Sequence, residues 1–71
     1  LDPIFYTRLK DLRTQLAKEH GLPPYGVFSN KTLEAFARLR PTTVEAGMRI
    51  KGVGAVKAAR FLEPFLEMMK E

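Results

Sequence analysis

Lys51, Lys57 and Arg60 stand around a Gly-Val-Gly turn in the stretch IKGVGAVKAAR, where the sequence gathers groups able to hold a ligand. Two glycines about a valine let a backbone come close to a ligand. The start of the helical run that follows offers unpaired N–H groups and the positive end of a dipole, which together favour anions. Lys57 and Arg60 are three residues apart, hence neighbours on one helix surface. The glycines serve equally well as a sharp structural turn with Val53 sent into the core, and the spacing leaves both readings open.

A second constellation lies in PPYGVFSNKTL, Pro23 to Leu33. An aromatic on a proline-stiffened loop loses little entropy on binding and stacks readily on an unpaired base. Phe28 is available to anchor the loop from within, which leaves Tyr25 for solvent; the alternative is Tyr25 packed on the first helix. Lys31 falls in the first turn of a helix, where a cation opposes the dipole at a cost of about 0.3–1 kcal/mol. Such a charge is either a tolerated penalty or one with a use. Arg13 borders the apolar face of the first helix and is placed to flank Tyr25.

These candidates bind rather than react. The chain has one histidine, His20, and no cysteine, so thiolate metal sites, cysteine nucleophiles and a serine triad independent of His20 are excluded. His20 suits the negative end of a helix dipole beside Gly21, a structural role. No catalytic residue, metal or cofactor is expected, and no apolar run is long enough to span a membrane. The expectation is a soluble, cytoplasmic protein, monomeric in isolation.

Net charge is +4 from 12 basic and 8 acidic side chains, unevenly distributed. Residues 31–60 hold seven basic against two acidic groups, and residues 61–71 one against three. An anionic partner is expected at the middle of the chain. At the end, Glu63, Glu67 and Glu71 follow one another at spacings of four, an acidic stripe that nucleic acid would avoid and a basic neighbouring domain would not.

Helices position all of these groups. Phe5, Leu9, Leu12 and Leu16 line one face of a first helix that Asp2 and Pro3 start and Gly21 ends. Pro23 and Pro24 force an extended or 3₁₀ connection. Ser29 or Asn30 caps a second helix carrying Leu33, Phe36, Ala37 and Leu39 inward, and Pro41 stops it. Thr42 and Glu45 have capping-box spacing for a short helix that Gly47 weakens. After the glycine turn a run rich in Phe, Leu and Met is kinked or restarted by Pro64. The expected fold is all-α, a compact five-helix bundle forming a single domain over residues 1–71. A chain that opens on Leu1 is expected to be a segment of a longer protein.

In this order the segments LKDLRTQLA (9–17), GLPPYGVFSNKTLEAFA (21–37), RPTTVEAGMRIKGVGAVKAARF (40–61) and PFL (64–66) resemble the HRDC domain, the helicase-and-RNase-D-C-terminal module of RecQ helicases and RNase D enzymes. The resemblance implies a non-catalytic accessory module for nucleic acid, with the tyrosine of the PPY segment, Tyr25 here, on a single-strand DNA surface with nearby basic residues. The sequence departs from the family's usual pattern at Asn30 and Lys31, where an acidic helix start is common, at Gly47, where a larger apolar residue is common, and at Lys51, where an uncharged residue is common. The expected role is to tune the engagement of single-stranded or branched DNA by a RecQ-type helicase, through Tyr25, Lys51, Lys57, Arg60, Lys31 and Arg13. Two alternatives are a docking module that meets other domains of its parent helicase through Glu63, Glu67 and Glu71, and an RNA-binding accessory domain of an RNase D-type exonuclease.

Overall fold

A computed structural model describes all 71 residues and contains helices and turns but no strand. The first helix, α1 (Pro3–His20), begins where the Asp2 carboxylate accepts hydrogen bonds from the amides of Ile4 and Phe5, with Pro3 in the first turn. It ends at Gly21, whose φ of 66° is the left-handed conformation expected of a glycine at that position. Phe5, Leu9 and Leu16 are buried along its inner face, whereas Leu12 is only half-buried.

The double proline is followed by a single 3₁₀ turn (Pro24–Gly26) that leads into α2 (Asn30–Leu39). Of the two possible caps it is Ser29 that acts, its hydroxyl accepting from the amide of Thr32. α2 buries Thr32, Leu33, Phe36 and Ala37. Leu39, expected inward, is 71% exposed, because the helix ends there and the chain swings into Arg40. Arg40 takes a positive φ of 46°, and Pro41 follows.

The short α3 (Val44–Met48) is capped by Thr43, whose hydroxyl accepts from the Ala46 amide, and not by Thr42. Glu45 therefore falls one position short of a capping box, and the adjacent threonine takes over. Gly47 is buried against Leu62, and a Cβ at residue 47 would stand 3.0 Å from a Leu62 methyl, so a larger side chain there requires Leu62 to shift.

The final helix, α4, is one rod built of three segments: α-helical Ala55–Lys57, a π-helical turn at Ala58–Leu62, and α-helical Glu63–Met69. Pro64 neither breaks it nor starts another helix. Its ring would clash with the carbonyl one turn back, and the wider π turn just before it removes that clash while the backbone stays right-handed helical. The fold thus has four helices and a 3₁₀ turn, not five helices.

Four phenylalanines fill the centre. Phe28, from the loop, meets Phe36, Phe61 and Phe65 edge-on at ring separations of 5.4, 6.3 and 5.3 Å. The loop before α2 is therefore a plug that closes the core.

Candidate nucleic-acid interface

The plug that buries Phe28 leaves Tyr25 outside. Tyr25 lies on the 3₁₀ turn and is 73% exposed. Beneath it Arg13 holds the loop to α1: its Nη1 donates to the Phe28 carbonyl at 3.1 Å and to Asn30 Oδ1 at 2.8 Å. Arg13 Nε is buried without a partner, so this guanidinium is committed to the interior side of the loop. A shallow groove runs between Tyr25, Pro24, Ser29 and Lys31, with Arg13 at its base. The structure thus brings three of the predicted residues together, two of them, Tyr25 and Lys31, fully on the surface.

Lys51 and Lys57 line a second concavity formed by the glycine turn. Val53 is buried at 4% exposure and Ile50 at 8%, so the turn is pinned to the core by its apolar residues. The two glycines differ in what they do. Gly52 has a φ of +98°, and a Cβ there would overlap the Thr32 hydroxyl, so the turn cannot sit on α2 with any other residue at that point. Gly54 has a φ of −86° and nothing within 4 Å of where its Cβ would lie. The amides of both glycines lack a hydrogen-bond partner within the protein.

Thr32 is the seam between the two concavities. Its hydroxyl donates to the Lys51 carbonyl at 2.9 Å and lies 3.2 Å from the Ser29 hydroxyl, so the tyrosine loop and the glycine turn meet at the first turn of α2. Sequence reasoning missed this residue. The Ser-x-x-Thr spacing marks a helix start, but nothing local tells that the threonine also reaches a carbonyl nineteen positions on.

Arg60 lies elsewhere on α4. Its guanidinium folds over the Phe61 ring at 4.8 Å from the centroid, and Phe61 in turn receives His20 edge-on at 5.0 Å. His20 is thus occupied in capping the core at the end of α1.

Among the seven basic residues of 31–60 only Arg40 has a carboxylate partner; the ion pairs of the fold are Arg8 with Glu71, Arg40 with Asp2 and Lys70 with Glu67. The acidic stripe is accordingly not free. The Lys70 ammonium hydrogen-bonds Glu67 at 3.0 Å and, by that bond first and its charge second, holds the Glu67 carboxyl below its ordinary range. Glu71 follows the last helical turn and binds Arg8 at 2.7 Å. No group of three His, Cys, Asp or Glu side chains stands close enough together to hold a metal ion, and no helix is long and apolar enough to cross a membrane.

This small all-helical module leaves six of the seven basic residues of 31–60 without a carboxylate partner and Tyr25 exposed. The sequence pattern of the HRDC domain matches residues 5–69, and the chain belongs to that family. It is 39% identical over 70 residues, 99% of its length, to the ATP-dependent DNA helicase RecQ of Haemophilus influenzae, covering 11% of that protein. It is 43% identical over 65 residues, 92% of its length, to the bifunctional 3'-5' exonuclease/ATP-dependent helicase WRN of Mus musculus, covering 5% of it. With the ATP-dependent DNA helicase UvrD2 of Mycobacterium tuberculosis the identity is 36% over 70 residues, 99% of this chain and 10% of the relative. The chain spans about a tenth or less of the length of these helicases.

Proposed function

We propose that this HRDC domain is a non-catalytic accessory module through which a RecQ-type helicase engages single-stranded or branched DNA. The observation that carries the reading is the exposed Tyr25 ring on an immobilised loop, beside Lys31 and joined through Thr32 to the unpaired Lys51 and Lys57. A base stacks on Tyr25 while the backbone of the strand follows the cations across the seam. Arg13 positions the loop, and Arg60 extends the positive surface along α4.

Docking of the domain through its acidic end has less support, since Glu67 and Glu71 are engaged within the chain and Glu63 alone lacks a cationic partner.

About three phosphate contacts, each releasing about 0.7 counterion from a single strand, give a slope of log affinity against log salt near −2. So small a footprint implies affinity on the order of micromolar or weaker. Fluorescence anisotropy of a labelled oligothymidine across a salt series tests this. Tyr25→Ala is expected to lose about 1–3 kcal/mol with the slope unchanged, and Lys57→Ala to flatten the slope. If neither variant alters binding at low salt while both stay folded, the surface described is not the nucleic-acid site. An equal-length oligouridine in the same assay separates a DNA module from an RNA module.

A further inference from the structure

Beside the glycine turn the molecule carries an apolar groove. It lies between α2 and α3, with Leu39, Pro41, Ala46 and Ile50 along its floor and walls and Arg49 and Lys51 at its rim, and it encloses about 450 Å³. That is room for a large apolar side chain. Leu39 is 71% exposed there. The groove continues, through the shared Arg49, Ile50 and Lys51, into the concavity where Met48 and Val56 stand 40% and 72% exposed. Exposed aliphatic side chains gathered along one face, on a domain this small, mark an interaction surface rather than scattered tolerance.

The chemistry of the lining selects the kind of partner. Leu39, Met48 and Val56 offer no flat ring, so they do not reward stacking by a base, and phosphate gains nothing from burying them. The apolar floor therefore calls for a protein side chain. The rim calls for negative charge: Arg49 and Lys51, and Arg38 in the last turn of α2, have no carboxylate partner in the fold. Glu34 and Glu45, the two acids of this part of the chain, line neither the groove nor its continuation.

We propose that this groove docks a protein segment bearing a large aliphatic or aromatic side chain flanked by carboxylates. The side chain enters over Ile50 between Leu39 and Ala46, and the flanking carboxylates meet Arg49 and Lys51. The groove under Leu39 meets the nucleic-acid surface at Lys51 and continues into the glycine-turn concavity that holds Lys57, so a segment confined to the Leu39 end leaves Tyr25, Lys31 and Lys57 to a strand.

The probe is a short synthetic peptide with a Phe–Leu pair between runs of aspartate, titrated into the methyl- and amide-labelled domain and followed by NMR. Saturable shifts of the Ala35, Leu39, Ala46 and Ile50 methyl signals are expected. Replacing the Phe–Leu pair by serines, or the aspartates by asparagines, should weaken binding about tenfold, the loss expected when an apolar anchor or a complementary charge is removed. Leu39→Gln, at an exposed helix-terminal position that does not threaten the fold, should weaken the peptide about tenfold and leave oligothymidine affinity unchanged. Peptide shifts that do not saturate, or that survive Leu39→Gln at full strength, overturn the proposal. So does an oligothymidine that moves the same methyl signals and is itself weakened by Leu39→Gln, since the groove would then belong to nucleic acid. Tyr25→Ala, which tests the nucleic-acid surface, should leave the peptide titration as it is.

Discussion

The two ends of α2 use the same residue types in opposite ways. At its C-terminal end the cation that closes the helix is engaged, although Arg38 beside it is not: Arg40 lies 3.9 Å from the centre of the Phe5 ring and 3.6 Å from Asp2, which also caps α1, and Arg8 ties Glu71 to that first helix. At its N-terminal end Lys31, Lys51 and Lys57 have no carboxylate at all, and the one cation that is engaged, Arg13, bonds uncharged acceptors. Exposed ion pairs add roughly 0–1 kcal/mol each, so the paired end matters chiefly because it fastens both termini of the chain. At the other end Lys31, Lys51 and Lys57 stay outside every ion pair of the fold and so remain available to an anion. A formal charge of +4 says nothing of this division; partners, not counts, decide which cations face outward.

If both ends rest on one shared core, its removal should abolish them together. Phe36 is fully buried against Phe28 and Phe65. Phe36→Ala is expected to destabilise the domain by about 3–5 kcal/mol in urea denaturation, enough to leave a domain of this size largely unfolded. Leu12→Ala, at a half-buried position, should cost about 1–2 kcal/mol. Equal losses at the two positions would mean that the phenylalanine cluster is not the centre on which the ends depend.

The division itself is tested by exchanging one cation from each end. Arg40→Ala removes a ring contact and an ion pair while keeping the left-handed backbone that a non-glycine residue occupies at a cost. It should lower stability by about 1 kcal/mol and leave the salt slope of oligothymidine binding unchanged. Lys51→Ala should do the reverse, flattening the slope by about 0.7 with stability within about 0.5 kcal/mol of the parent. A slope that responds equally to both would show that the strand senses net charge alone.

The paired end was the less legible of the two. Asp2, Pro3 and Gly21 announced α1, and the spacing of Phe5, Leu9 and Leu16 its buried face, because caps and periodicity are local signals. The proline loop could likewise be read as a Phe28 anchor with Tyr25 outside. Arg40 in a left-handed conformation carries no such mark, since no glycine or asparagine stands there and its reward comes from Phe5 and Asp2 far along the chain. The choice of Thr43 over Thr42, the π turn before Pro64 and the exposure of Leu39 depend likewise on how helices pack. For the site, residue types were legible and grouping was not: Lys51 and Tyr25 are united only by the Thr32 hydrogen bond, whereas the acidic stripe, plain in the sequence, dissolves into ion pairs.

The smallest expected effect bears on the glycine turn, which is part fold and part surface. Gly52 belongs to the fold, since its φ and the overlap of any Cβ with Thr32 forbid a side chain. Gly54 has an ordinary φ, open space around it and an amide with no partner. Gly54→Ala should therefore be tolerated, costing at most about 1 kcal/mol as a weaker N-cap, whereas Gly52→Ala should cost more, about 1–3 kcal/mol. If a phosphate comes against this backbone, the added methyl of Gly54→Ala holds it away, and oligothymidine affinity should fall about fivefold, equivalent to about 1 kcal/mol, with the salt slope preserved because Lys51 and Lys57 remain. Thermal melts and anisotropy on the same preparation separate the two effects. Unchanged affinity in a folded Gly54→Ala variant would leave the turn a purely structural device, with its lysines alone facing the strand.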